Sequence, residues 1–270
     1  MQVDLNSDMG EGFGRWSLGD DAALLSVVSS ANVACGFHAG DPSVMLSTLG
    51  LAEKNGVSVG AHVSYRDLAG FGRRFMDVGA DELTADVIYQ LSAIRGMADS
   101  VGVDVGYVKP HGALYNRIAV DPVQARAVVA AILRVDPSMS LLTLPGSVVG
   151  DIAGKWGLRV VHEAFADRAY TPQGALVSRR LPGSVITDVD QVSFRVSRMV
   201  RDGVVTAVDG SDIPIRADSV CVHGDSPGAV AMARAVRDRL LADGVEIRPF
   251  VRADESPDGE SRCDESRSGE

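Results

Sequence analysis

Residues 31–62 read ANVACGFHAGDPSVMLSTLGLAEKNGVSVGAH. The stretch opens on an apolar run, 31–36, that suits a buried strand. Asp41-Pro42 then sets a capping side chain before a proline at the first helical position, which predicts a helix start. The amphipathic segment that follows stops at Gly56, a residue suited to the left-handed turn that ends a helix. A second apolar run, 57–62, completes a strand–helix–strand unit, whose two strands run parallel. The same alternation extends in both directions. Further strands are predicted near 2–6, 104–109, 140–145, 158–164, 219–223 and 245–248. Asp121-Pro122 and Ser226-Pro227 mark more helix starts, and Gly102 and Gly244 mark helix ends. About eight strands in this rhythm predict a (β/α) barrel of TIM-like form in preference to an open sheet.

Two stretches break the rhythm. Residues 166–185, ADRAYTPQGALVSRRLPGSV, are too long and polar for an ordinary connection, and ordered loops of that length are usually functional. Residues 204–215 alternate apolar and polar around Asp209-Gly210, a hairpin signal. Residues 252–270 carry seven Asp/Glu against three Arg and almost nothing apolar, which predicts a disordered acidic tail after a single barrel domain spanning 1–251.

The 270 residues carry a formal net charge of −10, which argues against nucleic acid or an anionic membrane surface as partner. Aromatic residues make up 5%, too few for a base-stacking platform. No apolar run approaches the roughly 18 residues of a membrane span. The N-terminus, MQVDLNSDMGEG, lacks the apolar stretch of a signal peptide. Cys35, Cys221 and Cys263 form no CxxC pair and fit a reducing compartment. These features predict a cytoplasmic protein.

All five histidines, His38, His62, His111, His162 and His223, fall at or just after a predicted strand. In a parallel barrel those strand ends converge on one face, where active sites are built. Asp4, Asp8, Glu11, Asp41, Glu163 and Asp225 join that face, with Asp41 reading equally well as a helix cap. Such a cluster can hold a divalent metal or move protons without one. Lys109 and His111, two residues apart at a strand end, pair a fixed positive charge with a titratable group. The turn Gly10–Gly14 could let backbone amides approach an anion, but no GxxxxGK[ST] loop occurs anywhere in the chain. Gly70–Arg74 and the loop residues Arg168, Tyr170 and Arg179 could bind a carboxylate or phosphate, or form charged surface loops.

Six segments together carry a resemblance: DLNSDMGEGFG (4–14), ANVACGFHAGDP (31–42), GAHVSYRDLAGFGRR (60–74), KPHGALYN (109–116), FADRAYTPQGALVSR (165–179) and CVHGDSPGAV (221–230). Over about residues 1–250 the chain resembles the LamB/YcsF family, with Val63 standing where many members carry Pro. The resemblance implies a distorted barrel related to the polysaccharide deacetylases. It also implies cleavage of 5-oxo-L-proline to L-glutamate coupled to hydrolysis of ATP, in a complex with separate B and C subunits. Within that expectation, Asp8 or Glu11 activates water, while Lys109 and His111 stabilise an oxyanion and move a proton. Asp225 completes the catalytic set. Asn6, Arg73, Arg74, Arg168 and Tyr170 bind substrate, with one arginine on its carboxylate. His38, His62 and His223 are the candidate ligands of a divalent metal. Two other classes stay open: a metal-dependent amidase or deacetylase without ATP, and a non-catalytic member of the complex.

Overall fold

A computed structural model describes residues 1–224 and 228–251. Parallel strands alternate with helices as the sequence pattern requires. The first half holds β1 (Gln2–Met9), α1 (Asp21–Leu25), β2 (Ser30–Ala34), α2 (Pro42–Asn55), β3 (Ser58–His62), α3 (Ala80–Asp99) and β4 (Val105–Val108). Then follow α4 (Gly112–Ile118), α5 (Pro122–Val135), β5 (Ser140–Thr143), α6 (Val148–Lys155), β6 (Arg159–Phe165) and α7 (Val189–Arg201). The chain ends with β7 (Val204–Thr206), β8 (Asp212–Pro214), β9 (Ser219–Cys221), α8 (Ala229–Ala242) and β10 (Glu246–Ile247).

Strands β1 to β6 follow one another around the sheet, and β9 lies between β6 and β1, closing a seven-stranded parallel barrel. The eighth predicted strand, β10, does not enter the ring as a full stave. It pairs only with Gln2 and Val3, below the point where β1 turns to β9 through Asp4, Leu5 and Asn6. The Asp-Gly hairpin forms as β7–β8, antiparallel and apart from the barrel, with Gly210 at φ +85°.

The caps form as the sequence predicts. Asp41 accepts from the amides of Ser43 and Val44, and Asp121 from those of Val123 and Gln124, each beside a proline that opens its helix. Gly56 closes α2 at φ +65°. Ser226-Pro227 lies outside the described residues, and α8 begins behind Gly228.

Strand β1 shows how the core divides. Val3, Leu5 and Met9 face the helices and join the main apolar core. Asp4, Asn6 and Asp8, on the alternate face, look into the barrel. The interior has two levels. Tyr107, Leu142 and Val161 plug the lower barrel, with Phe250 against them. Gly60 on β3 makes room for that plug, since a Cβ there would stand 2.2 Å from the Tyr107 ring. Above them the interior turns polar: Tyr107 donates to Asn32, and Asn32 donates to Asn6 and Asp8. A polar interior is affordable only where its groups are mutually bonded, and this one rises toward the C-terminal ends of the strands.

Candidate active site

The strand ends deliver the side chains. Asp8 sits near the end of β1, His62 is the last residue of β3, and Lys109 follows β4 directly. Short excursions carry His38 past β2, His111 to the cap of α4, Asp167 past β6 and His223 past β9. Four of the five histidines therefore meet on one face. His162 does not. It lies within β6, and its Nδ1 is 3.0 Å from Asp218, which precedes β9 at the opposite end.

Lys109 is the centre of the polar interior. Its Nζ lies 2.7 Å from Glu163 Oε1, 3.0 Å from Asp8 Oδ1, 3.2 Å from Asn6 Oδ1 and 3.2 Å from Cys221 Sγ. Burial opposes an ammonium here, but Asp8 and Glu163 outweigh it and raise its pKa well above the usual lysine value. Burial likewise opposes the Asp8 carboxylate, and His62 and Lys109 prevail, holding it well below the usual range. Asn6 is not at the surface of the site. It donates to Ser219 and Glu163 and accepts from Lys109, so it positions the lysine from beneath. Tyr115 donates to the other oxygen of Glu163 at 2.8 Å.

Beside Asp8 stand three stacked and edged imidazoles. His38 and His111 lie face to face with ring centroids 3.9 Å apart, and His62 meets them edge-on at 5.3 and 4.9 Å. Glu11 Oε1 is 3.1 Å from His38 Nε2 and 3.9 Å from His111 Nε2. His62 Nδ1 donates to the Lys109 carbonyl at 2.8 Å, which leaves its Nε2 facing Asp8 at 3.3 Å without hydrogen-bond alignment. Burial first, and then the neighbouring histidines, hold both His38 and His111 well below the usual histidine pKa, so the rings are neutral. One ligand atom from each of Glu11, His38, His62 and His111 falls within 4.8 Å of all the others, a group able to hold a metal ion.

His223 stands apart from that group. Its Nδ1 is 2.7 Å from Asp167 Oδ1, a buried pair of the kind that fixes an imidazole's orientation. Burial opposes the Asp167 carboxylate, yet His223 keeps its pKa lowered. The anticipated metal trio of His38, His62 and His223 is therefore not what the fold assembles. His111 and Glu11 fill the place given to His223.

A cavity of about 730 Å³ opens above these residues, with Asp8, His62, Lys109, His111, Phe165 and His223 at its floor. Arg73, Arg117, Arg168, Arg179 and Arg180 line its walls. Arg168 is buried and bonds the carbonyls of Ser184 and Val177, and burial and then Arg179 push its pKa down to about 10. The loop 166–185 thus forms a wall of the cavity. Two more expected substrate contacts, besides Asn6, are elsewhere. Arg74 is exposed and bound to Asp67, and Tyr170 turns its hydroxyl to the Phe165 amide behind the wall. The Gly10–Gly14 turn is also committed: Gly10 donates to Asp21 at 2.8 Å and Gly14 to Asp41 at 2.6 Å. Asp225 lies outside the described residues.

The side chains that sequence reasoning left out of the site are Asp167, Tyr115 and Cys221, with Glu163 noted only as a carboxylate of the face. Asp167 begins the polar loop and reads as one more loop acid. Glu163 shares its face of β6 with Val161 of the lower plug and Phe165 of the cavity, and that period-two placement is the signal that turns it inward.

Among the described residues no helix is long and apolar enough to cross a membrane. Comparison with known proteins extends over nearly the whole chain. It is 61% identical over 251 residues to the A subunit of 5-oxoprolinase from Paracidovorax citrulli, covering 93% of this chain and all of that one. It is 62% identical over 248 residues to the corresponding A subunit from Mycobacterium avium, covering 92% and 98%. The crystal structure of a lactam utilization protein from Thermus thermophilus superposes with a TM-score of 0.89 at 47% identity, covering 93% of this chain and 100% of that one. The family model for LamB/YcsF matches residues 3–255, which takes in every strand of the barrel and each histidine of its upper face. With sequence, fold and strand-end constellation in agreement over that span, the chain belongs to the LamB/YcsF family.

Proposed function

We propose that this chain opens the lactam ring of 5-oxo-L-proline to give L-glutamate, as the A subunit of an enzyme that couples the reaction to hydrolysis of ATP. The observation that carries the reading is Lys109, an ammonium buried between Asp8 and Glu163 at the floor of the cavity. The names of the full-length relatives, the A subunit of 5-oxoprolinase and a lactam utilization protein, supply the substrate class.

A five-membered lactam is a weak electrophile. Phosphorylation of its amide oxygen would make the carbonyl carbon attackable. Water would add there, the ring C–N bond would break as the nitrogen takes a proton, and a second water would cleave the resulting γ-glutamyl phosphate to glutamate and phosphate. Lys109 places fixed positive charge where oxygen charge develops, in a site of low dielectric. Asp8 is a poor base, because its pKa is held low, so water activation falls to His223 with Asp167 behind it. Asp8 then serves to hold Lys109 and to face His62. The substrate carboxylate binds Arg168 or Arg73 on the cavity wall. ATP is handled by the B and C subunits. The chain has no phosphate-binding loop of known type, and Gly10 and Gly14 of its glycine turn already bond the chain's own carboxylates.

A second reading, amide hydrolysis assisted by a metal and without ATP, is favoured by the cluster of three imidazoles and Glu11. Assays of the assembled complex with 5-oxoproline separate the two. Glutamate formation that requires ATP supports the first, and equal glutamate with ATP omitted supports the second.

A further inference from the structure

We infer that Glu11, His38, His62 and His111 form a mononuclear site for a borderline first-row divalent cation of the zinc class, and that His223 takes no part in it. This goes beyond the lactam reading and does not rest on it. Three buried imidazoles within 5.3 Å of one another, centroid to centroid, are a costly arrangement for an apolar interior. His38 Nδ1, His62 Nε2 and His111 Nδ1 are buried with no hydrogen-bond partner among the described residues. A cation accepted by imidazole nitrogens and one carboxylate removes the unfavourable proximity and uses the lone pairs.

The ligand chemistry points to the metal class. Imidazole nitrogen with carboxylate suits zinc and its neighbours, and the harder calcium and magnesium prefer oxygen alone. The His62 bond from Nδ1 to the Lys109 carbonyl is the outer-shell contact that fixes a ligating ring with Nε2 bare. The loop 70–74 covers the cluster. Gly72 lies over it at φ +62°, where a Cβ would stand 2.6 Å from His111 Nδ1 and 2.8 Å from His38 Cβ. Phe71 meets both rings edge-on at 5.6 and 5.3 Å.

A second group, Asp8, Cys221 and His223, also gathers ligand atoms. It is not a second metal site, because the Lys109 ammonium already lies 3.0 Å from Asp8 and 3.2 Å from Cys221 and occupies the place of the ion. The centre is therefore mononuclear.

The test reads metal directly. The full chain, grown in medium containing zinc, manganese, iron and cobalt and purified without a polyhistidine tag, is analysed by plasma mass spectrometry. About one ion per chain is expected, as in other single-site zinc proteins. His111→Gln and Glu11→Gln should each lose most of it while His223→Gln keeps it, with circular dichroism confirming that the variants fold. Cobalt(II) added to the stripped chain should give visible ligand-field bands that His111→Gln lacks. A wild-type chain that holds no ion above buffer and shows no cobalt bands overturns the site. Metal lost from His223→Gln and retained in folded His111→Gln overturns the ligand assignment. Because metal content is read without turnover, a failure of the lactam reaction leaves this result interpretable.

Discussion

Single residues matter here chiefly as buried charges, and their pairing makes them testable. Removing one member of a buried ionic group typically costs about 3–5 kcal/mol because its partners are left uncompensated. Lys109→Met should therefore lower thermal stability markedly as well as abolish turnover. Adding Glu163→Gln to it removes one stranded carboxylate, so the double variant should regain part of the lost melting temperature with no recovery of activity. Equal recovery of both would mean that Lys109 acts only as a counter-ion. His223→Gln addresses proton transfer: kcat in the assembled complex should fall by about 10²–10⁴-fold with little change in KM. Near-normal kcat would place water activation on another group. These residues were unequally legible in the sequence. Strand-end position exposed His38, His62, His111, His223 and Lys109 as a set. It could not say which histidines share a ligand-sized space, since that depends on how far each loop carries its side chain. His111 swings in as the cap of α4, while His223 is drawn away by Asp167.

Among the elements, strands and helix caps were readable because each depends on local rules: period, proline, glycine. The loops that complete the site were not, because their shape depends on distant neighbours. Loop 70–74 reads as an anion binder or a charged surface loop, but not as a cover: Arg73 lines the cavity, Arg74 is spent on Asp67, and Gly72 lies over the histidine cluster. Gly72→Ala combines a left-handed backbone with contacts below 3.0 Å. It should cost about 1–3 kcal/mol in denaturant unfolding and displace His38 or His111, whereas Gly79→Ala, with open space around it, should cost far less. Equal stability of the two variants would deny the loop's role as a cover.

Strand β1 offers a pH-linked test at the lower end of the polar interior. Burial raises the Asp4 carboxyl from 3.8 to about 6, against the lowering effect of hydrogen bonds from Ser219, Ser30 and Ser29. The folded value exceeds the unfolded one, so the protonated acid favours the fold. The contribution is full below pH 4 and is lost as pH rises through 6, a change of roughly 3 kcal/mol. Asp8 and Asp167, with lowered values, act in the opposite sense. The measurement is therefore the stability difference between wild type and Asp4→Asn from pH 4 to pH 7. It should move against the wild type as pH rises. A difference independent of pH would show that Asp4 is ionised throughout.

For the molecule as a whole, a seven-stranded ring differs from the expected eight for a reason the sequence pattern does not contain. The segment 245–248 has the composition of a strand, but β1 already meets β9 from Asp4 onward, which leaves β10 only Gln2 and Val3 to pair with. Barrel closure is a property of all the registers together. The composition of 252–270 leads to a separate expectation: truncation after Arg252 should leave melting temperature and complex activity near full-length values. A large loss in either would show that the segment docks.

Reconstitution asks directly whether the lactam ring is opened on this barrel. The B and C subunits, this chain, and all three together are incubated with 5-oxoproline and ATP, and glutamate and phosphate are quantified. The full complex should yield glutamate and phosphate in equal amounts, and this chain alone should yield neither at a useful rate. No glutamate should come from B and C alone, or from a complex carrying Lys109→Met. Glutamate formed by B and C at the full rate without this chain would contradict that assignment, because the ring would then be opened on another subunit.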